Sequence, residues 1–417
     1  MIFNYYIGKR LIKLQHTATK VLLGVGIFFN LALLGYFKYS DFFIMNFNTM
    51  MGSDIGLLYL ALPLAISFYT FQQIAYLVDS YRGETKEYDF LTYALFVTFF
   101  PQLIAGPIVH HSEMMPQFTK KENKIFNHFN IALGLFIFSM GLFKKVVIAD
   151  TFAMWATKGF DVAPTLNMIE AWITSLSYTF QLYFDFSGYT DMVIGAALLF
   201  NIKLPNNFFS PYKATNIQDF WRRWHITLSR FLKDYIYIPL GGNRKGEIRT
   251  YTNLFTTFVL GGIWHGAGWT FVLWGILHGL ALVLHRVWQK LGFKMYSVFA
   301  WFITFNFINI AWVFFRATNF ESAIKVLKGM FMGDIIVPSA VTQYIALPAG
   351  KWSKLFESEA YLGVWFAFGF LVILLFPNSM QWKMKFKTNF IYMIFTILFF
   401  LSIFLLNRKS EFIYFNF

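Results

Sequence analysis

The sequence predicts an all-helical, polytopic membrane protein, and three observations predict it. Hydrophobic residues make up 57% of the 417-residue chain and charged ones only 13%, whereas a soluble domain averages about 45–50% and about 25%. Mean hydropathy is +0.51. Apolar runs near the ~20 residues needed to cross the hydrocarbon core recur along the whole chain. With 55 Phe, 28 aperiodic Gly and no Cys, the composition also excludes disordered, collagen-like and disulfide-stapled classes.

Taken in order, the runs predict spans near 18–37, 55–79, 128–149, 168–200, 251–263, 267–285, 296–315, 358–377 and 389–406. The run 88–109 is cut by Pro101, Gly106 and Pro107 and is expected to be re-entrant. Together these give about nine to eleven membrane helices in one domain covering residues 1–417. The start, with Lys9, Arg10, Lys13 and Lys20 and no small-residue cleavage site, reads as a cytoplasmic juxtamembrane segment rather than a signal peptide. Residues 316–357 read as a mixed loop with a short helix.

The net charge of +14 points to positive-inside loops and anionic headgroups of the lipid bilayer, not to nucleic acid. Residues 202–249 hold nine cations against three anions, a local +6, which places them on the cytoplasmic side. Phe220, Trp221, Trp224, Leu228, Phe231, Leu232, Tyr235 and Ile236 interleave with those charges, a spacing that suits an amphipathic helix at the interface. The turn Pro239–Asn243 ends it.

Three polar groups sit where lipid should be, at an insertion cost of about 2.5–3.5 kcal/mol per charge. Gln181, Tyr183, Asp185, Ser187, Tyr189, Thr190 and Asp191 share one run; the carboxylates either serve a site or pair with Arg222, Arg223 or Arg286. The windows Gly262-Ile-Trp264-His265-Gly266 and Gly275-Ile-Leu-His278-Gly279 place glycines where another backbone can approach. On one straight helix the two imidazoles would point about 220° apart, so either a break falls near Gly266–Gly268 or one ring faces away. Trp224-His225 is the third group. No metal-ligand spacing involves His110-His111, and no phosphate loop, dinucleotide glycine pattern or serine elbow is present in the sequence.

Six strings, taken jointly, carry a resemblance: Phe100-Pro101-Gln102-Leu-Ile-Ala-Gly106-Pro107-Ile, Gln181-Leu-Tyr-Phe-Asp185-Phe-Ser-Gly188, Asp219-Phe-Trp-Arg-Arg-Trp224-His225-Ile-Thr-Leu-Ser229, Tyr237-Ile-Pro-Leu-Gly-Gly-Asn-Arg244, Gly262-Ile-Trp-His265-Gly266 and Trp274-Gly-Ile-Leu-His278-Gly279. Over about residues 5–318 the chain resembles the membrane-bound O-acyltransferase family, in its alginate and peptidoglycan O-acetyltransferase branch. Two departures stand out: the chain begins near the second or third hydrophobic element of that branch, and His110-His111 replace a more usual basic residue.

The resemblance implies that His265 is the catalytic residue and His225 its polar partner. Asp185, Ser187, Trp224, Trp264, Trp269 and His278 would line the tunnel, which would open to both compartments. It implies acetyl-CoA as donor substrate with no bound cofactor or metal, and Arg222, Arg223, Arg230, Lys233 and Arg244 attracting the donor's phosphates. The acceptor is then an exported polysaccharide, reached with an extracytoplasmic esterase-like partner, and the location a bacterial cytoplasmic membrane. The alternatives are a D-alanyl transfer protein of teichoic acid modification and a proton-coupled transporter, which predicts inverted repeats.

Overall fold

The computed structural model describes residues 1–13, 17–85, 89–335 and 361–405. Every regular element among them is a helix, the form in which a backbone in hydrocarbon satisfies its own hydrogen bonds. The basic start is helical, α1 (Ile2–Lys13), and packs with α2 (Thr17–Leu34) on α4 (Ile66–Arg82). A π-helical turn, Gly35–Tyr39, joins α2 to α3 (Ser40–Met51) without ending the helix.

The expected span 55–79 is helical only in its second half. Gly52, at φ 65°, stops α3, and Pro63, which has no N–H to donate, precedes α4. The apolar stretch between them is an irregular segment pinned by Asp41, whose carboxylate accepts from the amides of Leu58 (2.7 Å) and Tyr59 (3.0 Å). The interruption expected within 88–109 is present: α5 (Phe90–Thr98) and α6 (Phe100–Leu103) break at Phe99, where ψ is 99° just before Pro101. α7 (His111–Thr119) follows.

α8 (His128–Phe143) continues through a second π-helical turn, Lys144–Ala149, into α9 (Asp150–Thr157). α10 (Met168–Leu199), 32 residues long, is the central post, packing on α8, α9, α15 (Ser297–Arg316) and α16 (Phe320–Met332). It approaches α8 closely because a Cβ on Gly188 would lie 2.8 Å from the Gly141 carbonyl oxygen, so a side chain there would force the helices apart. The +6 segment is helical, yet as two seven-residue helices, α11 (Ile217–Arg223) and α12 (Ile226–Leu232). Its apolar side packs into the protein core rather than onto lipid: Phe220, Trp224 and Leu228 are each at most 2% exposed.

α13 (Glu247–His265) and α14 (Trp269–Lys290) pack against each other, and α15 lies on α14. The short helix expected within 316–357 is α16; the part of that loop beyond 335 lies outside the described residues. α17 (Leu362–Leu374), α18 (Ser379–Lys385) and α19 (Phe390–Phe400) complete the fold. Residues 358–360 and 406, the ends of two expected spans, are likewise outside the described residues.

Among the described residues four helices are long and apolar enough to span a bilayer, Ala18–Met51, His128–Val162, Trp269–Lys290 and Ser297–Arg316, and a fifth counts if the bent pair α17–α18 is one span. This is fewer than the sequence runs suggest, because several runs fold as shorter or broken helices and α10 carries polar residues through its middle. Outward faces are apolar, as α19 shows with no buried residue and Ile391, Ile397 and Leu398 exposed. Such surface belongs in lipid.

Candidate active site

The site is built around the end of α13. Gly266 has extended geometry (φ −160°, ψ 152°), so His265 is the last helical residue and the break expected near Gly266–Gly268 falls there. The chain then turns back as α14, and the glycines of both histidine windows let the helices touch. A Cβ on Gly262 would lie 2.5 Å from the Phe271 carbonyl oxygen and 2.9 Å from the Gly275 Cα. The fold-back brings both imidazoles onto one indole: Trp274 lies 5.0 Å from the His265 ring and 4.6 Å from that of His278. Trp264 (4.9 Å) and Phe315 (5.1 Å) close the remaining sides of His265, which is 3% exposed.

His225 reaches the same region from the other side. It sits between α11 and α12 at φ 42°, a left-handed conformation that swings the ring into the core. Phe68 stacks on it at 6.5 Å and also meets Trp264 at 5.5 Å, linking His225 to the His265 wall. Phe186 of α10 packs edge-on at 4.8 Å.

Hydrogen bonds fix which ring nitrogens carry protons. Asn207 Oδ1 accepts from the Thr227 amide (3.2 Å) and hydroxyl (2.8 Å), so the oxygen faces this way and His225 Nδ1, 3.1 Å from it, must donate. His225 Nε2 therefore bears the lone pair, and it has no hydrogen-bond partner among the described residues. Burial pushes this imidazole well below its ordinary pKa, keeping it neutral near pH 7. His278 is the opposite tautomer: the Trp221 indole donates to Nδ1 (3.2 Å), leaving the proton on Nε2. Trp264 Nε1, Trp274 Nε1, His278 Nε2 and Ser187 Oγ are also buried without a hydrogen-bond partner among the described residues. Buried polar atoms are otherwise almost always bonded, so His225 Nε2 and His278 Nε2 are the ring atoms left to meet a polar group.

The remaining predicted residues divide. Trp224 is buried 5.0 Å from Trp312 and supports the site from behind. Trp269 is 54% exposed, bonded to Asn46 (2.8 Å), and is not part of the His265 wall. Asp185 and Asp191 pair with Lys145 (3.0 Å) and Lys144 (2.7 Å). Two consecutive lysines on the π-helical turn face α10 and fill the role expected of Arg222, Arg223 or Arg286. Lys145 also meets Asp150 (2.7 Å), and Ser379 donates to Asp191 (2.9 Å), so this cluster fastens helices.

Of the five basic candidates, Arg223 is held by Asp219 (2.9 Å), Arg230 by Glu113 (2.9 Å), and Arg244 is exposed on the turn after α12. Arg222 and Lys233 line a cavity of about 300 Å³ together with Arg286, His285 and the apolar faces of Trp221 and Phe258. Trp221 forms part of that cavity and also bonds His278, connecting the two regions.

Sequence reasoning missed Asn207, Trp274 as the shared wall, and a junction at Asp79. There the Tyr235 hydroxyl donates to Asp79 Oδ1 (2.7 Å), while His110 and His111 place Nδ1 3.6 and 3.2 Å from Oδ2. Nothing in local spacing announces these, because each joins segments far apart in the chain. Among the described residues no group of three or more His, Asp or Glu is placed to hold a metal ion.

Residues 64–324 match the membrane-bound O-acyltransferase family. A peptidoglycan O-acetyltransferase of Helicobacter pylori is 58% identical over 360 residues, covering 79% of this chain and 68% of that protein. A protein described as a probable alginate O-acetylase of Pseudomonas putida is 41% identical over 348 residues, 80% of this chain and 70% of its own length. A teichoic acid D-alanyltransferase of Bacillus subtilis is 27% identical over 278 residues, 62% of this chain and 69% of that protein. This chain thus spans about two thirds of the length of each of these relatives.

Proposed function

Because the chain belongs to the membrane-bound O-acyltransferase family, we propose that it is an O-acetyltransferase. In this reading it takes acetyl groups from acetyl-CoA on the cytoplasmic side of a bacterial cytoplasmic membrane and delivers them for O-acetylation of an exported polysaccharide of the peptidoglycan or alginate type. The observation that carries the reading is the His265 imidazole, set at a helix break and enclosed by Trp264, Trp274 and Phe315. The higher identity to the acetyltransferases than to the D-alanyltransferase favours acetyl over D-alanyl transfer. A transporter reading has no support, since Asp185 and Asp191 are engaged by lysines.

The chemistry needs a base and a dry enclosure. His265 takes the proton of the acceptor hydroxyl as its oxygen bonds to the thioester carbonyl carbon. The C–S bond then breaks, and the proton passes from the imidazolium to the departing CoA sulfur. His225 Nε2 accepts a hydrogen bond from the bound reactants, and His278 Nε2–H supplies one. Trp264 and Trp274 exclude the water that would hydrolyse the thioester. Arg222, Lys233 and Arg286 around the cavity suit the donor's phosphates, with the apolar floor beside its pantetheine chain. The acceptor hydroxyl belongs to an extracytoplasmic esterase-like partner that hands the acetyl group to the glycan. The test is radiolabelled acetyl transfer in membranes carrying wild type or His265→Ala at equal abundance. Transfer should vanish in the variant; wild-type transfer there would refute the assignment.

A further inference from the structure

The last four carbonyls of any α-helix have no partner within it. For α13 these belong to residues 262–265, where the backbone leaves the helix in extended geometry at Gly266. Partners for the last three come from 224–227 residues away in sequence, on the π-helical turn between α2 and α3. The Tyr39 hydroxyl donates to the Ile263 carbonyl. Lys38 Nζ donates to the carbonyls of Trp264 (2.7 Å) and His265 (3.1 Å). Its third contact is Ser67 Oγ of α4, at 3.2 Å. An ammonium has three hydrogens, and here three acceptors take them.

We infer that Lys38 and Tyr39 are positioning residues that hold the His265 ring in working orientation by capping α13 from outside. The inference rests on the reading of His265 as the reactive imidazole. His265 ends its helix, and the peptide units that carry Trp264 and His265 are those Lys38 grips. The ammonium also lies 5.9 Å from the Trp264 ring centroid, fixing the neighbouring wall. A cation at a helix C-terminus opposes the partial negative charge there. With its hydrogens engaged, Lys38 acts on the geometry of the site and not on the reactants. The π-helical turn has a purpose in this light: its extra residue per turn directs two consecutive side chains, Lys38 and Tyr39, onto three consecutive carbonyls.

The experiment compares wild type, Lys38→Met, Lys38→Arg and Tyr39→Phe, each purified in detergent and quantified as folded, monodisperse protein. Two readouts are taken: turnover per folded molecule, and the rate at which diethylpyrocarbonate modifies His265, read by mass spectrometry against His225 and His278 in the same sample. We expect Lys38→Met to lower kcat about tenfold or more with little change in KM, and to raise His265 labelling several-fold relative to the other two histidines. Lys38→Arg should recover part of both, and Tyr39→Phe should show a smaller effect in the same direction. Labelling of His265 that is unchanged in Lys38→Met overturns the inference whatever the activity, and so does turnover per folded molecule equal to wild type. Because labelling needs no substrate, a wild type without acetyl transfer would refute the proposed reaction and still leave the cap tested.

Discussion

The three hydrogen bonds that converge on Asn207 Oδ1 define a perturbation whose size follows from the structure. Asn207 and Thr227 are both buried, and Thr227 Oγ1 in turn accepts from the Ile108 amide at 3.0 Å. One side-chain oxygen thus ties the Gly106-Pro107-Ile108 loop to the His225 turn. In Asn207→Leu, of similar volume, the Thr227 amide and His225 Nδ1 lose their acceptor, while the Thr227 hydroxyl can rotate. Two orphaned buried donors cost about 1–3 kcal/mol each, together about 2–6 kcal/mol. Against a typical folding stability of about 5–15 kcal/mol, that is a clear drop in melting temperature in detergent.

Asn207→Asp separates geometry from electronics. A carboxylate accepts the same three hydrogen bonds, so folded yield should stay near wild type. It also sets a negative charge beside Nδ1, which favours the imidazolium and raises the pKa of His225 from its burial-depressed value. Since His225 must be neutral for Nε2 to accept, raising its proton affinity moves the acid limb of kcat/KM to higher pH. The assay is acetyl transfer by wild type and Asn207→Asp from pH 4 to 9 at equal folded protein. Superimposable profiles, or an Asn207→Leu variant that melts with wild type, would refute the tautomer argument.

Three further outcomes are expected. The cavity cations should act through charge: the KM of the wild type for acetyl-CoA should rise with salt, and in Arg222→Ala with Lys233→Ala it should be high and nearly independent of salt; parallel salt curves would remove the cavity from donor binding. Gly262→Ala should destabilise by about 1–3 kcal/mol, because its Cβ meets backbone at 2.5 and 2.9 Å, whereas Gly24→Ala, with nothing within 4 Å, should melt at or slightly above the wild-type temperature. Because the chain has no native Cys, Lys245→Cys should resist an impermeant maleimide in intact cells and react after permeabilisation; labelling in intact cells would invert the orientation of the +6 segment.

The parts of the fold that could be read in advance are those where one local rule decides. Helix type followed from apolar length, and setting two glycine windows against the 3.6-residue period narrowed the histidine region to two outcomes, a break near Gly266–Gly268 or one ring facing away, of which the break is found. Close helix contact at Gly262 followed from the missing side chain. Local rules failed where the outcome depended on a partner. The segment 55–65 is as apolar as a span, and Gly52, Pro63, the Asp41 carboxylate and the Asn48 amide keep it irregular. The carboxylates of α10 were legible as costly, but their lysine partners were not, because consecutive lysines at the end of an apolar run look like a boundary until a π-helical turn faces them inward.

The same limit explains why the histidines could be named while their supports could not. A buried imidazole is conspicuous in a sequence because it is polar among apolar neighbours. What sets its proton and its direction is a second residue whose own surroundings are ordinary: Asn207 follows Pro205-Asn206 and looks like a turn, and Lys38 closes an apolar run and looks like an interfacial anchor. Each is recognised only by what it bonds to, the Thr227 amide in one case and the Trp264 carbonyl in the other. A histidine motif read from sequence alone therefore fixes where a proton can be exchanged. Which nitrogen exchanges it depends on groups outside the motif, and substitutions at those groups should change pH dependence and turnover while the motif itself stays intact.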